Sequence, residues 1–344
     1  KIPLIFVIIK IYIKNILRKV YKYHMKILAV QNRMGIGDTV IFLPFIKALH
    51  KKFNSPISLL VKESSKADQY LFETNYIDKI LILGRDTNNN SRHDGFLGSF
   101  NLIKDLKKYN FDKIFIFNSS LRFNLIARFS NIPNIYQYPL FYKNKQHIID
   151  APKKFLKNKL DIDVNEDPDI QISNELISKA TKKFQIDKNE LNILMGIGGS
   201  GPTKRIPSRI FLEVIDKTLK LKKCKFFLAT GKNTEEQIIL NEILSTKYKN
   251  FCVPLDNLSI KETLPIIKNC NLSICNDSSF SHLSAALGIK TITLMADTPL
   301  IYGNYSSNMF PILPDGEEIV SHNTLGKEKI NSEKIFSKIV EIIS

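Results

Sequence analysis

The chain has 344 residues, of which 44% are hydrophobic, and its formal net charge is +17. This length is sufficient for two domains, and the hydrophobic content allows each of them a substantial core. The positive charge raises the question of nucleic-acid binding, but the chain is rich in Lys, Asn and Ile throughout and carries no recognisable nucleic-acid-binding motif. We therefore predict no nucleic-acid partner.

The first 24 residues combine basic and apolar side chains at helical spacing. Four basic residues recur every fourth position and share one helical face: Lys10, Lys14, Arg18 and Lys22. The unbroken apolar run, residues 2–9, is far shorter than the ~20 residues that span a bilayer, and no signal-peptide cleavage site follows it. We predict an amphipathic helix over residues 1–24 that lies on an anionic membrane surface at the cytoplasmic face. The alternative is a helix packed on the protein itself or on a partner.

From Met25 onward, strand-like and helical segments alternate. In the first half, strands are predicted at 26–30, 57–61, 79–83 and 113–117, with helices around 38–52, 65–74, 98–109 and 121–130. In the second half, strands are predicted at 192–197, 225–230, 272–276 and 291–295, with helices around 208–222, 234–246, 259–269, 279–287 and 332–343. The alternation predicts parallel βαβ units in an α/β fold. We place the domains at 25–165 and 166–344, with a cleft between them as a common location for ligands.

The first polar junction is RMGIGDTVIFLPFIKAL, residues 33–49, which follows the first predicted strand. Gly35 and Gly37 permit a tight backbone and close approach of a ligand. Asp38 lies at or near the start of the following helix. A carboxylate at that place either caps backbone N–H groups or serves as a general base, and the spacing alone does not separate the two roles.

The second junction is GIGGSGPTKRIPSR, residues 196–209. Its glycines match the spacing of a dinucleotide-binding loop, but prolines delay the helix and no acidic residue ends the next strand to hold a ribose. Pro202 stands where a P-loop would have its lysine. What remains is a glycine-rich loop with Lys204 and Arg205, which suits a diphosphate or is an ordinary connection with two solvated bases.

Two further junctions lie in the second half. Glu235 is in the first turn of a predicted helix, where the helix dipole favours it in any protein and where it could also bind a nucleoside hydroxyl. Capping boxes are predicted for Asn233–Glu236 and Ser259–Glu262. In CNDSSFSH, residues 275–282, small hydroxyl side chains open a helix whose free N–H groups make an anion site. His282 there is either a phosphate donor or a satisfied half-buried histidine.

In this order, the stretches RMGIGDTVIFLPFIKAL, GSGPTKRIP and NDSSFSHLSAALGIKTI resemble glycosyltransferase family 9, the family of bacterial lipopolysaccharide heptosyltransferases. The resemblance implies a GT-B fold, in which two Rossmann-like domains with parallel sheets face each other across a cleft. It implies inverting sugar transfer with Asp38 as the general base and Lys204 on the donor phosphates. The donor-binding residues that it implies are Ser200, Lys204, Glu235, Asp277, Ser278, Ser279 and His282. The glycines predicted to shape the loops are Gly35, Gly37, Gly198 and Gly199.

The resemblance also implies the partners. The donor would be an ADP-linked sugar, heptose by resemblance, which is a substrate, so we predict no cofactor. The acceptor would be a lipopolysaccharide-core glycan or another glycan- or lipid-linked molecule, and no metal-binding motif is visible. The family usually has glycine at the place of Ser279, and a phenylalanine-glycine-proline stretch where MADTP (295–299) stands. The alternatives are a nucleotide-sugar epimerase or hydrolase of the same fold, or a non-catalytic sugar-nucleotide-binding or membrane-scaffold protein.

The four cysteines lie in the second half without paired spacing, which predicts reduced thiols in a core: Cys224, Cys252, Cys270 and Cys275.

Overall fold

The computed structural model describes residues 25–85, 91–140 and 147–344. The helix predicted over residues 1–24 lies outside the described residues. In the part of the chain that is described, no helix has both the length and the apolar composition to cross a membrane. All four cysteines are buried and unpaired, and burial raises the pKa of the Cys252 thiol to about 12.

Within these residues, the first half of the chain forms a five-stranded parallel sheet with strand order β3-β2-β1-β4-β5. Its strands are β1 (Ile27–Val30), β2 (Ile57–Lys62), β3 (Ile77–Leu83), β4 (Lys113–Ile116) and β5 (Asn134–Gln137). Its helices are α1 (Ile36–Phe53), α2 (Gly95–Lys107), α3 (Leu121–Phe129) and α4 (Asp150–Leu160). Alternate side chains of β1 enter different cores: Ile27 belongs to the core that includes α1, and Leu28 to the core that includes α2 and α3.

The second half forms a six-stranded parallel sheet with strand order β11-β10-β9-β6-β7-β8. Its strands are β6 (Leu191–Gly196), β7 (Cys224–Ala229), β8 (Cys252–Pro254), β9 (Leu272–Asn276), β10 (Thr291–Leu294) and β11 (Met309–Ile312). Its helices are α5 (Asn174–Lys183), α6 (Ser208–Leu221), α7 (Thr234–Leu244), α8 (Ile260–Ile267), α9 (Ser279–Ala286) and α10 (Ser332–Ile343). Two parallel sheets with covering helices confirm the predicted α/β fold.

Most predicted elements are present, but one helix prediction is wrong. Residues 65–74 do not form an α-helix; two short 3₁₀ helices, Glu63–Ser65 and Ala67–Gln69, stand there instead. Lys66 between them has a φ of 47°, in the left-handed region that a right-handed helix cannot include. The sequence patterns also missed three short strands, β5, β8 and β11, and two helices, α4 and α5.

The two sheets are joined through packed helices. Helix α1 of the first half packs against α9 of the second half, and side chains from both halves share one core cluster. The backbone N–H of Asn75 donates to Gln171 Oε1 at 3.1 Å, and Lys47 pairs with Asp169 at 3.0 Å. In a parallel sheet, every helix begins beyond the carboxyl ends of the strands, so the starts of α1 and α9 border the same cleft.

Candidate active site

A cavity of about 1130 Å³ lies between the two halves. Small-molecule sites usually measure about 300–1,000 Å³, so this cavity has room for more than one ligand group. The first half contributes the loop after β1, with three of the predicted site residues: Gly35, Gly37 and Asp38. The second half contributes eight of them: Gly198, Gly199, Ser200, Lys204, Asp277, Ser278, Ser279 and His282. Glu235 is the predicted residue that does not line the cavity.

Asp38 lies in the first turn of α1 and does not cap it. The helix begins after Gly35, whose φ of 96° is readily adopted by glycine, and it has no side-chain cap hydrogen bond. Burial raises the pKa of the Asp38 carboxyl, while the positive charges of Arg33 and Lys204 act in the opposite direction. A capping carboxylate would instead have its pKa lowered by the N–H groups that it accepts from. The geometry therefore favours the reading of Asp38 as a base over that of a plain cap.

Gly37 allows the two halves to meet at this point. A Cβ atom at residue 37 would stand 2.6 Å from Cδ2 and Nε2 of His282, closer than real Cβ atoms approach other atoms. The ring of His282 also stacks on Tyr305, and its Nδ1 shares a hydrogen bond of 2.8 Å with the tyrosine hydroxyl. Because the contact joins the first turn of α1 to α9, it sets the distance between Asp38 and the second half of the site.

A buried ion pair forms the floor of the second half. Lys204 Nζ donates to Asp277 Oδ2 at 2.8 Å, and the Asp277 side chain is almost fully buried. Burial opposes ionisation of Asp277, but the charge and hydrogen bond of Lys204, together with His282 and Thr298, outweigh it, so the pKa of this carboxyl is lowered. Burial lowers the pKa of His282 to about 4, which makes its imidazole neutral at physiological pH. His282 therefore brings a hydrogen-bonding group and no charge to the site.

The start of α9 offers groups that suit an anion. Strand β9 ends at Asn276, whose Nδ2 donates to the carbonyls of Ile197 and Gly198 and so ties the second glycine loop to the strand end. Ser278 precedes the helix in extended conformation, and its buried Oγ has no partner within the described structure. Helix N–H groups, a helix dipole and the Ser278 and Ser279 hydroxyls thus face the cavity beside Lys204.

Of the two neighbouring glutamates, Glu236 and not Glu235 lines the cavity. Glu235 pairs with Arg205 and its side chain is 66% exposed, whereas the Glu236 side chain is 7% exposed and lines the cavity. Glu236 Oε1 accepts the Gly199 N–H at 2.7 Å, and its buried Oε2 has no partner within the described structure. The sequence prediction used Glu236 as one half of a capping box, but only the Asn233 half forms, because the Glu236 carboxylate turns to the glycine loop.

The glycines around Glu236 make room for its carboxylate. A Cβ atom at Gly231 would stand 2.2 Å from Oε2, and one at Gly198 would stand 3.0 Å from Oε1. By contrast, a Cβ atom at Gly199 would meet only ordinary contacts, so the part that Gly199 plays is its N–H donor. Two glycines, Gly198 and Gly231, thus lie against one buried acid in the folded chain. The spacing rules did not identify this combination. Within the described residues, no three His, Cys, Asp or Glu side chains converge to hold a metal ion.

Comparison with known proteins gives consistent matches. Residues 99–329 match the sequence model of Glycosyltransferase family 9 (heptosyltransferase). Lipopolysaccharide heptosyltransferase 1 of Campylobacter coli is 24% identical, over 92% of this chain and 99% of its own length. Among solved structures, a family 9 glycosyl transferase of Veillonella parvula has a TM-score of 0.74 at 19% identity, over 93% of this chain and 97% of that one. The ADP-heptose lps heptosyltransferase II of E. coli has a TM-score of 0.70 at 16% identity, over 93% and 98%.

Proposed function

The chain belongs to glycosyltransferase family 9, and from this premise we propose that it transfers a heptose from an ADP-linked donor to an acceptor of the lipopolysaccharide core. The names of the similar proteins support the sugar and the acceptor, since they include a lipopolysaccharide heptosyltransferase of Campylobacter coli and an ADP-heptose enzyme of E. coli. Membership of a transferase family favours transfer to an acceptor over epimerisation, hydrolysis or binding without turnover.

In the proposed reaction, an acceptor hydroxyl attacks the anomeric carbon of the donor. Asp38 takes the proton of that hydroxyl. In comparable cases, such general-base catalysis raises the rate by a factor of about 10²–10⁴. A carboxylate whose pKa is raised by burial is a stronger base than an exposed one. The bond from the anomeric carbon to the phosphate oxygen breaks as the new bond forms, and the configuration inverts.

The leaving diphosphate carries the electron pair of the broken bond. Its added negative charge would be stabilised by Lys204 and by the N–H groups and hydroxyls at the start of α9. Lys204 is already held in place by Asp277 at 2.8 Å, so it needs little rearrangement to meet a phosphate. The neutral imidazole of His282 would supply one further donor at the same place.

We assign the donor ribose to Glu236. A carboxylate accepts well from the vicinal hydroxyls of a ribose, and Glu236 faces the cavity with an oxygen that has no partner within the described residues. Gly231 has no side chain to collide with this oxygen, from which a Cβ atom would stand 2.2 Å away. The exposed Glu235 pairs with Arg205 instead and is not a donor ligand in this proposal.

One observation carries the proposal: a half-buried carboxylate from the first half and a lysine with a helix start from the second half border the same cavity. This arrangement supports the proposal, because sugar transfer requires a base on the side of the reacting carbon opposite the diphosphate. The residues 1–24 predicted to lie on a membrane would hold the enzyme where a lipid-linked acceptor is found.

Product analysis tests the function. The full chain is incubated with ADP-heptose alone, with a heptose-free core acceptor alone, and with both. We expect a heptosylated acceptor and free ADP only when both are present. Release of free heptose or of an epimer from the donor alone would contradict the proposal. In parallel, thermal shifts with ADP, UDP, GDP and dTDP identify the nucleotide, and we expect the largest shift with ADP.

A further inference from the structure

The outer face of the first half carries a concentration of exposed apolar side chains. Six of the thirteen exposed large hydrophobic side chains of the described residues lie on α2 and α3, with exposed fractions between 41% and 78%. They define what we call the α2–α3 surface: Phe96, Leu97, Phe100, Leu121, Leu125 and Phe129. A contiguous apolar surface of this kind marks a binding site on a soluble fold.

These exposed side chains do not belong to the faces with which α2 and α3 pack against the sheet. Helix α2 already buries Gly98, Leu102 and Leu106 against the sheet, and α3 already buries Phe123, Ile126 and Ala127. At 100° per residue, Phe96, Leu97 and Phe100 point away from the buried side of α2. Leu121, Leu125 and Phe129 follow one another every four residues and form a stripe on α3. The rings of Phe96 and Phe100 contact each other edge to face, with centroids 5.1 Å apart.

The two stripes form one surface because the helix starts are held together. Arg122, at the start of α3, donates from Nε to Ser99 Oγ at 2.9 Å and from its guanidinium to the carbonyl of His93. Helix α2 in turn lies directly on this loop, since a Cβ atom at Gly98 would stand 2.2 Å from the carbonyl carbon of His93. The apolar side chains are thus presented on rigid elements.

The charged side chains that share the exposed arcs of the two helices are positive, and Asp94, just before α2, is paired with Arg85. Lys104 and Lys107 lie on the same arc of α2 as the apolar stripe, one and two turns further on, and both are exposed. Arg128 flanks the stripe of α3. The acidic residue of α2, Asp105, lies on another arc and is paired with Arg92 and Lys108. Apolar side chains bordered by cations complement a bilayer with anionic headgroups, where each basic residue near the surface adds attraction.

The surface lies near the proposed acceptor side of the cleft. In the parallel sheet, α1, α2 and α3 all begin beyond the carboxyl ends of their strands, so Phe96 and Leu121 lie along the same sheet edge as Asp38. A bilayer that contacts this edge would bring a lipid-linked acceptor close to the base.

We propose that the α2–α3 surface docks the enzyme onto an anionic bilayer, with its phenylalanine and leucine side chains at the boundary between headgroups and acyl chains. This contact is separate from the one predicted for residues 1–24. The proposal rests on the proposed function, because a lipid-linked acceptor would be located in a bilayer. Binding to vesicles is nevertheless measured without any sugar substrate.

The chain has no tryptophan, which allows a direct test. Single variants Phe96→Trp and Phe129→Trp of the full chain report on the surface, and Leu221→Trp at the end of α6, also exposed, is the matched control. Vesicles of phosphatidylglycerol and phosphatidylethanolamine are added to each. We expect a blue shift of emission and quenching by brominated lipid at residues 96 and 129, and neither at residue 221. Vesicles of phosphatidylcholine alone should give a smaller shift.

A second measurement uses the triple variant Phe96→Ser/Leu97→Ser/Phe100→Ser. We expect its partition onto the anionic vesicles to be at least about tenfold weaker than that of the unchanged chain. The proposal would be overturned by unshifted emission at residues 96 and 129 or by unchanged partition of the triple variant. It would also be overturned if the unchanged chain were a dimer in solution and the triple variant a monomer. Transfer to a lipid-free acceptor is assayed on the same samples, so that failure of the surface is distinguished from failure of the proposed function.

Discussion

At the scale of single residues, Asp38 shows what a sequence pattern leaves open. The glycine loop predicts a carboxylate at a helix start, and a cap and a base both fit that description. The structure adds two facts, burial that raises its pKa and a helix start without a side-chain cap hydrogen bond. The burial depends on how the chain packs around the carboxyl, which no local pattern specifies, and Lys204 of the second half acts against the raised pKa.

A raised carboxyl pKa has a consequence for stability. The folded protein binds the Asp38 proton more tightly than the unfolded chain does, so stability falls as pH rises from the ordinary carboxyl pKa through the raised one. The loss of folding free energy then persists at neutral pH. We predict that Asp38→Asn raises Tm by a few degrees at pH 7 and that the difference disappears below about pH 4. Scanning calorimetry across this pH range measures it.

The same variant should lose transfer by about 10²-fold or more and keep ADP affinity close to that of the unchanged enzyme. A variant that is more stable but has lost turnover indicates that the original side chain serves catalysis at a cost in stability. A capping aspartate would give the reverse result, since its loss destabilises the helix start and leaves the chemistry intact. An Asp38→Asn variant with lowered Tm and near-normal turnover would therefore restore the reading as a cap.

The pair Glu235 and Glu236 provides a matched test of donor binding. We predict that Glu236→Gln weakens ADP binding by about tenfold or more, because a charged hydrogen-bond acceptor for the ribose is lost. Glu235→Gln removes the same charge from the neighbouring position, where the exposed carboxylate pairs with Arg205, and should change ADP binding less than about twofold, because Arg205 keeps Glu236 Oε1 as a partner at 4.0 Å. Isothermal titration with ADP measures both variants. Equal losses would point to a general charge effect and not to a ribose contact.

At the scale of elements, the prediction succeeded where apolar runs are continuous and failed at short or exposed segments. Strand β1, for example, is fully buried and reads as an unbroken apolar run. The missed strands β5, β8 and β11 are edge strands of three or four residues that are partly exposed, and β11 contains Pro311. Sequence patterns indicate which strands are central better than where a sheet ends.

The contact between α1 and α9 could not be predicted from the sequence for another reason. Gly37 was predicted to permit close approach of a ligand, but the atoms that approach it are those of His282. Two local motifs, each recognisable alone, meet only through the tertiary packing of the two halves. The glycine is thus explained by a neighbour from the other sheet.

We predict that Gly37→Ala lowers kcat by about tenfold or more. The new methyl group would stand 2.6 Å from the His282 ring, so the start of α1 and Asp38 must shift away from α9. Gly201→Ala is the matched control, since a Cβ atom there meets nothing within 4 Å, and its turnover should be unchanged. Steady-state kinetics with both substrates decides the matter, and full activity of Gly37→Ala would show that α1 and α9 need no close contact.

At the scale of the whole molecule, the two halves divide the proposed reaction between them. The second sheet presents Lys204, Glu236 and the start of α9 for the donor, and the first sheet presents Asp38 and the edge that carries the α2–α3 surface. The acceptor side of the cleft and the proposed membrane contact therefore belong to the same half. A lipid-linked acceptor could then reach the base without the donor site approaching the bilayer.

Two weak membrane contacts should act together in this arrangement. We predict that deletion of residues 1–24 and the triple serine change at 96, 97 and 100 each weaken partition onto anionic vesicles by about tenfold. Combined, they should abolish detectable co-sedimentation, because one contact raises the effective concentration of the other. Raised salt should weaken binding of the unchanged chain, since part of the attraction is between basic side chains and anionic lipids. Transfer to a lipid-free acceptor should be equal in all four proteins, and a deletion variant that sediments like the full chain would remove residues 1–24 from the membrane contact.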